Sequence, residues 1–339
     1  MSFLFSKFSR LFVPTRIRRC VNRSLVQPQV IAVKRNSQRL RFAQQLYQAF
    51  PDVVFIFQFF NTRRNCGPVL SRFLERGCKN IILFADGCID GTSKAAHRLL
   101  CGQNHYVISA NDRHEIANYR LGLKIGESLG CKYAVLLQDD DVYDDSLFLW
   151  ISANLALMKN ERISIVGGCS GCDLDPKYVY KQADSGFCTA EFVVDQTSPT
   201  GSWSLGTYQR MIICQPRNAV NGLPRVYAAT VSRAPQIIDI NVATKLGFFP
   251  TFLEPYQYDD DYNSFLSWLS GYKVLFCPVS GKQTIGLSGM RLYNDVSEVR
   301  RPHHFANNWN TILSIFSEAI HSGEFNRMVE AANASIPMS

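Results

Sequence analysis

No run of 18 apolar residues occurs in the 339-residue chain, which excludes an ordinary membrane-spanning helix. The 11 cysteines are an odd number without framework spacing, and no apolar leader with a cleavage site precedes them. Reduced thiols in a cytosolic compartment are therefore expected. Cys169 and Cys172 form the one CxxC pair, and only the irregularly spaced Cys188 and Cys214 follow as partners for a zinc site. No acidic residue precedes Asp52, whereas residues 1–50 hold ten of the 36 Lys and Arg. The remaining 26 basic residues face 28 acidic ones, so the formal charge of +8 belongs to an N-terminal arm. The body is near neutral and offers nucleic acid no basic surface.

Within that arm Met1, Leu4, Phe5, Phe8, Leu11 and Phe12 share one helical face, with Lys7 and Arg10 opposite, and Pro14 ends the helix. An aromatic face followed by clustered arginines suits the surface of an anionic membrane, where insertion and charge attraction add. An acid-free segment rich in Arg and Ser also has the composition of a mitochondrial transit peptide. An arm that is solvated or that folds back on the body is the third reading.

From Pro51 onward strands and helices alternate. Val53 to Phe60, Asn80 to Ala85, His105 to Ser109 and Lys132 to Gln138 are apolar, β-branched or aromatic runs that predict buried strands. Helices are predicted from Pro68 to Arg76, Thr92 to Leu100 and Glu115 to Leu129. Such alternation predicts an α/β fold with a mostly parallel central sheet flanked by helices. At 46% hydrophobic content the chain can bury a large core. Ligands of these sheets bind at the carboxyl ends of the strands. Three ends are polar here: Asn61 to Arg64, Asp86 with Gly87, and Asp139 to Asp141.

The last of these is the most informative. A buried strand that runs into three consecutive carboxylates needs compensating positive charge, most simply a divalent cation with oxygen ligands. A solvated acidic loop is the plainer alternative. A second triplet, Asp259 to Asp261, precedes an apolar helix and exceeds what capping of a helix dipole requires.

Four segments together resemble glycosyltransferase family 2, inverting enzymes of GT-A fold. ADGCIDGT (Ala85 to Thr92) resembles that family's DDGSTDGT, with Ala85 in place of its first Asp. EIANYRLGLKIGESLGCKYAVLLQDDDV resembles the helix, strand and DxD segment. RAPQIIDINVATKLGFFP (Arg233 to Pro250) and YDDDYNSFLSWLSGYKV (Tyr258 to Val274) are similar to the acceptor-side stretch and the ED-containing helix. The chain between Gly168 and Pro224 carries no such resemblance. A sugar-phosphate nucleotidylyltransferase would show a Gly-rich loop after the first strand, and FFNTRRNCG is not one.

The resemblance implies a Rossmann-like nucleotide-diphospho-sugar transferase domain over residues 51–300, with a nucleotide-binding half (51–160) and an acceptor half (161–300). An N-terminal arm (1–50) and a C-terminal helical tail (301–339) flank it. Asp86 would hydrogen-bond the nucleotide base, beside Phe59 and Asn61. Asp139 and Asp141 would hold Mn²⁺ or Mg²⁺, with Asp140 as substitute, and Arg120 would be a diphosphate contact or a solvated helix residue. Asp260 would be the general base, with Asp261 the neighbouring choice of register, while Trp268 and Tyr272 belong to the core. Ser280 to Asn294 is predicted as a loop that covers the donor, and His303 or His304 as a third metal ligand or a surface pair. Residues 311–333 are expected to form one amphipathic helix. The implied activity is metal-dependent, inverting transfer from a nucleotide-sugar to a hydroxyl of a glycan, lipid-linked or protein acceptor, on the cytoplasmic face of a membrane. A non-catalytic, membrane-associated nucleotide-sugar binder of the same fold is the alternative.

Overall fold

The computed structural model describes residues 29–32, 50–101, 105–169, 171–174, 193–194, 203–204, 211–213, 218–220, 223–255, 258–285 and 295–336; for 29–32, 172–173, the strands between 193 and 224, and 295–306, the backbone alone is described. In chain order the strands are β1 (Gln29–Ala32), β2 (Val53–Phe59), β3 (Asn80–Asp86), β4 (His105–Ala110), β5 (Tyr133–Gln138), β6 (Asp141–Tyr143), β7 (Ile163–Gly167), β8 (Gly171–Leu174), β9 (Val193–Val194), β10 (Trp203–Ser204), β11 (Met211–Ile213), β12 (Asn218–Val220), β13 (Leu223–Tyr227), β14 (Thr230–Val231), β15 (Gln236–Asp239), β16 (Lys273–Phe276) and β17 (Lys282–Thr284). The helices are α1 (Cys66–Glu75), α2 (Thr92–Leu100), α3 (His114–Ser128), α4 (Ser146–Glu161), α5 (Ile240–Leu246), α6 (Asp259–Leu269), α7 (Asp295–His321) and α8 (Glu324–Ala334).

Ten strands form one mixed sheet in the order β1-β4-β3-β2-β5-β15-β7-β16-β13-β12. Its centre, β4-β3-β2-β5, is parallel throughout, as the strand and helix alternation predicts. β15 runs antiparallel between β5 and β7, and β16 is again parallel to β7. Strands from both halves of the predicted domain therefore share one sheet.

β2 is buried along its whole length because both of its faces are covered. On one face Phe55 and Phe57 meet Phe73 of α1 edge-on at 5.2 and 4.9 Å, and Phe73 meets Phe148 of α4 at 5.4 Å. On the other face α3 approaches closely through two glycines. A Cβ at Gly122 would stand 2.8 Å from Ile56 Cδ1, and one at Gly126 2.7 Å from Val54 Cγ1. That contact fixes where the first turn of α3 lies over the strand ends.

In one place the arm folds back on the body, and three further features depart from the sequence-based expectation. Within the basic arm, Gln29–Ala32 adds an antiparallel edge strand to β4; the β-branched pair Val30 and Ile31 suits that position, and the predicted aromatic helix and all of the arm's arginines lie outside the described residues. The segment predicted as a covering loop includes β17, which pairs antiparallel with β6, while 286–294 lie outside the described residues. The terminal helix is two helices, because Gly323 at φ 70° breaks the turn between α7 and α8. α7 begins at Asp295, so the expected boundary at 301 falls inside a helix. Its partner α8 places Phe325 at 4.7 Å from Phe265 of α6, which ties the tail to the core.

Candidate active site

The parallel strands β3, β2 and β5 end side by side, so the polar residues that follow them share one edge of the sheet. Asp139, just past β5, binds this edge together: its Oδ2 accepts from Phe60 N at 2.8 Å and from Thr62 Oγ1 at 2.5 Å, and its carbonyl accepts from Asn65 Nδ2 at 2.8 Å. Burial pushes the Asp139 carboxyl up to about 7 against those hydrogen bonds. It is a joint between β2 and β5 more than an open ligand.

Asp140 and Asp141 face different environments. Asp140 is half-buried, and its Oδ1 is shielded from water without a hydrogen-bond partner. Burial, reinforced by the adjacent Asp141 charge, lifts it to about 6. Asp141 opens β6 and is saturated: Lys282 Nζ lies at 2.9 Å, and Thr284 Oγ1 and Tyr143 OH donate at 3.0 and 3.4 Å. The pairing of β6 with β17 delivers both Lys282 and Thr284. Lys282 also donates to the Ala234 carbonyl at 3.3 Å, joining this corner to the loop before β15.

The second acid triplet occupies the first turn of α6 itself rather than the residues before it. Asp259 is fully buried and lies 3.0 Å from Arg233 Nη1, while Asp260 Oδ2 accepts from the Arg233 backbone N at 3.2 Å and lies 3.3 Å from its Nε. Burial pushes both carboxyls up and the guanidinium pulls them back. Asp261 accepts from Thr230 Oγ1 at 2.9 Å, and burial raises it to about 7. Arg233 rests over the Tyr119 ring at 5.4 Å and takes a third carboxylate, Glu115 of α3, at 3.1 Å. The Glu115 charge raises Asp139 and Asp140 as well as Asp259 and Asp260, so it acts on both triplets. One continuous acidic site results, with seven carboxylates and, of the cations just described, Arg233 and Lys282.

Several predicted contacts are used otherwise. Phe59 is completely buried against Phe57, with ring centroids 6.3 Å apart, so its side chain belongs to the core. Asn61, at φ 53°, accepts from Ile89 N at 2.8 Å and its own N donates to Cys88 Sγ, so it braces the turn after β3. Asp86 has no exposed surface; it accepts from Arg113 N at 2.7 Å and His114 N at 2.8 Å and so anchors the start of α3. Arg120 donates to the Phe249 carbonyl at 2.9 Å and pairs with Glu254. Trp268 is core, but Tyr272 is half-buried beneath Arg162. His303 and His304 lie in α7, with side chains outside the described residues. Cys188 and Cys214 lie outside them as well, and the described cysteine Cys169 is a free thiol.

Among the described residues no group of three His, Cys, Asp or Glu side chains is arranged to hold a metal ion. The donor set nevertheless suits Mg²⁺ or Mn²⁺ in partnership with a phosphorylated ligand. Such ions take one or two carboxylates and complete their shell with substrate phosphates and water. Asp140, with its orphaned buried oxygen, and Asp141 supply two hard oxygen donors.

No family model matches the sequence, and no curated protein matches it. Among solved structures the chain is similar in fold to the crystal structure of GalNAc-T7 with UDP, GalNAc and Mn²⁺, at a TM-score of 0.48 and 13% identity, over 74% of this chain and 49% of that one. The chain thus spans about half the length of the chain it matches. The likeness does not single out family 2.

Proposed function

We propose that the chain is a nucleotide-sugar glycosyltransferase of the inverting type, resembling family 2, and that the edge formed by Asp139 to Asp141, Glu115, Arg233 and Asp260 is its active site. The supporting observation is that Arg233 gathers Glu115 of α3 with Asp259 and Asp260 of the second triplet, while Lys282, paired with Asp141 of the first, donates to the carbonyl of the adjacent Ala234. A solvated acidic loop would not be buried, and a capped helix would not need a guanidinium shared among three carboxylates.

The charge balance explains the donor. A diphosphate cannot approach so acidic an edge unless a cation comes with it, and a divalent ion on Asp140 and Asp141 is the natural companion. When bound, that ion supplies Lewis-acid neutralisation of the departing diphosphate. Asp139 keeps the ends of β2 and β5 fixed, and Lys282 adds a second positive group. Asp260 receives the proton of the acceptor hydroxyl as the hydroxyl oxygen attacks the anomeric carbon. The bond from that carbon to the diphosphate oxygen breaks in the same displacement, with inversion. A carboxylate raised by burial and steadied by Arg233 has a basicity suited to near-neutral pH.

The saturation of Asp141 by Lys282, Thr284 and Tyr143 favours a second reading, a nucleotide-sugar binder without turnover. A panel of nucleotide-sugars assayed with Mn²⁺ for transfer and donor hydrolysis separates the two. Binding without turnover by any donor supports the binder, and unchanged nucleotide affinity in EDTA removes the metal from either reading. Residues 1–28 are proposed to hold the protein on an anionic membrane. Deleting them should abolish flotation with anionic vesicles and spare turnover; flotation by the shortened chain would defeat this assignment.

A further inference from the structure

A second cavity, of about 430 Å³, lies where β7 and β16 begin. β7 runs from this cavity to Gly167, and the following Gly168 N donates to the Pro235 carbonyl at 2.9 Å, beside Arg233 and Ala234. The cavity is therefore at the opposite pole of the sheet from the acidic edge. Its charge is the reverse. Arg162, Arg225 and Lys273 line it with a single acid, Glu161.

That acid is already occupied. Glu161 Oε1 lies 3.2 Å from Arg225 Nη1, and its Oε2 accepts from Tyr227 OH. Arg225 is 4% exposed, and its Nε has no hydrogen-bond partner. Arg162 and Lys273 have no carboxylate among the described residues. Each rests on an aromatic ring instead: the Arg162 guanidinium is 5.3 Å from the Tyr272 centroid and the Lys273 ammonium 4.9 Å from that of Tyr227. Ring faces hold cations in place without neutralising them. The backbone brings the two together, with Lys273 N donating to the Arg162 carbonyl at 3.0 Å. Arg162 is exposed on the cavity wall, beside Gly271.

We propose that this cavity binds a phosphate group carried by a small molecule, independently of the acidic edge. A surplus of two positive charges matches a phosphate dianion, and guanidinium with ammonium donors is the usual set for it. The volume falls in the range of small-molecule sites, about 300–1,000 Å³.

The test is calorimetric titration of the full chain with inorganic phosphate and with pyrophosphate at constant ionic strength. The comparison is between wild type, Lys273→Met, Arg162→Gln and, as the arm altered at the other pole, Asp141→Asn. Lys273→Met keeps the apolar stem on Tyr227, and circular dichroism verifies that each variant is folded. Both cavity variants are expected to lose at least about tenfold in affinity, since removing one partner of a charge-assisted contact costs about 1.5–3 kcal/mol, while Asp141→Asn retains wild-type affinity. Equal affinity in wild type and both cavity variants, or loss in Asp141→Asn alone, overturns the proposal, as does no phosphate binding by wild type. Pelleting with phosphatidate vesicles, on the chain without the residues 1–28 proposed to bind anionic membranes, distinguishes the source. Vesicle binding that Lys273→Met diminishes assigns the phosphate to a lipid headgroup; vesicle binding that it leaves unchanged, alongside phosphate titrations that it weakens, assigns it to a soluble ester.

Discussion

Lys282 Nζ sits 2.9 Å from Asp141 Oδ2, so the acid expected to meet a divalent ion already has a cation of the chain's own upon it. The ammonium and an incoming metal compete for the same carboxylate. Lys282→Ala should therefore tighten Mn²⁺ binding to the nucleotide-free chain, by roughly tenfold. Because breaking a buried ion pair costs about 3–5 kcal/mol, it should also lower the melting temperature without metal, and Mn²⁺ should restore it. Manganese paramagnetic resonance and thermal melts check both. Weaker Mn²⁺ binding in Lys282→Ala would mean that the lysine assists the metal.

Asp260→Asn should lower turnover by a factor of about 10² to 10⁴, the usual worth of a general base, with donor affinity unchanged. Asp261→Asn is the control, because its carboxylate is engaged by Thr230 and not by Arg233. If Asp261→Asn produces the loss and Asp260→Asn does not, the base is one residue further along.

Stability should fall as pH rises through neutrality. Burial raises Asp261 from an ordinary 3.8 to about 7, so the folded chain retains a proton there that the unfolded chain gives up near pH 4. This contribution is complete below about pH 4 and is lost as pH climbs toward 7 and beyond. Asp261→Asn should flatten that part of the profile and stabilise the protein at pH 8 relative to wild type. A denaturant midpoint measured from pH 5 to 8 checks it; a parallel decline in the variant would place the effect elsewhere.

Arg120→Ala should act on folding and not on the donor. Its guanidinium joins α3 to the Phe249 carbonyl and to Glu254, and nothing in that arrangement faces the acidic edge. A melting temperature lowered by several degrees with unchanged nucleotide affinity is expected. Lost affinity at unchanged stability would reinstate it as a diphosphate contact.

The alternation of strands and helices was legible because each central strand is a continuous apolar run, and the two acid triplets stood out because three carboxylates at an element boundary have no cheap structural use. The full burial of Phe59 and Asp86 was not legible, for one shared reason. In strands covered on both faces, apolar content does not tell which terminal side chain turns inward. Glu115 left no signal in sequence, since one acid in the first turn of a helix has an ordinary use in complementing the helix dipole. Lys282 was hidden by composition: Gly, Ser, Lys and Gln suggest a loop, and only the pairing with β6 makes that segment a strand. Arg233 lay within a recognised motif, but its three partners come from two helices that only the fold brings together.

The pairing of β6 with β17 also has a consequence for biosynthesis. Asp141 and Thr284 are 143 residues apart, so the first strand of the pair leaves the ribosome long before the second exists. At roughly 5–20 residues per second the carboxylate waits on the order of ten seconds for its lysine and threonine. During that interval the nascent sheet can already assemble from β2 to β5 while the acidic edge lacks its resident cation. A polypeptide made only as far as β5 thus carries the strand scaffold without a finished acidic edge, and that edge is completed only when β17 has emerged.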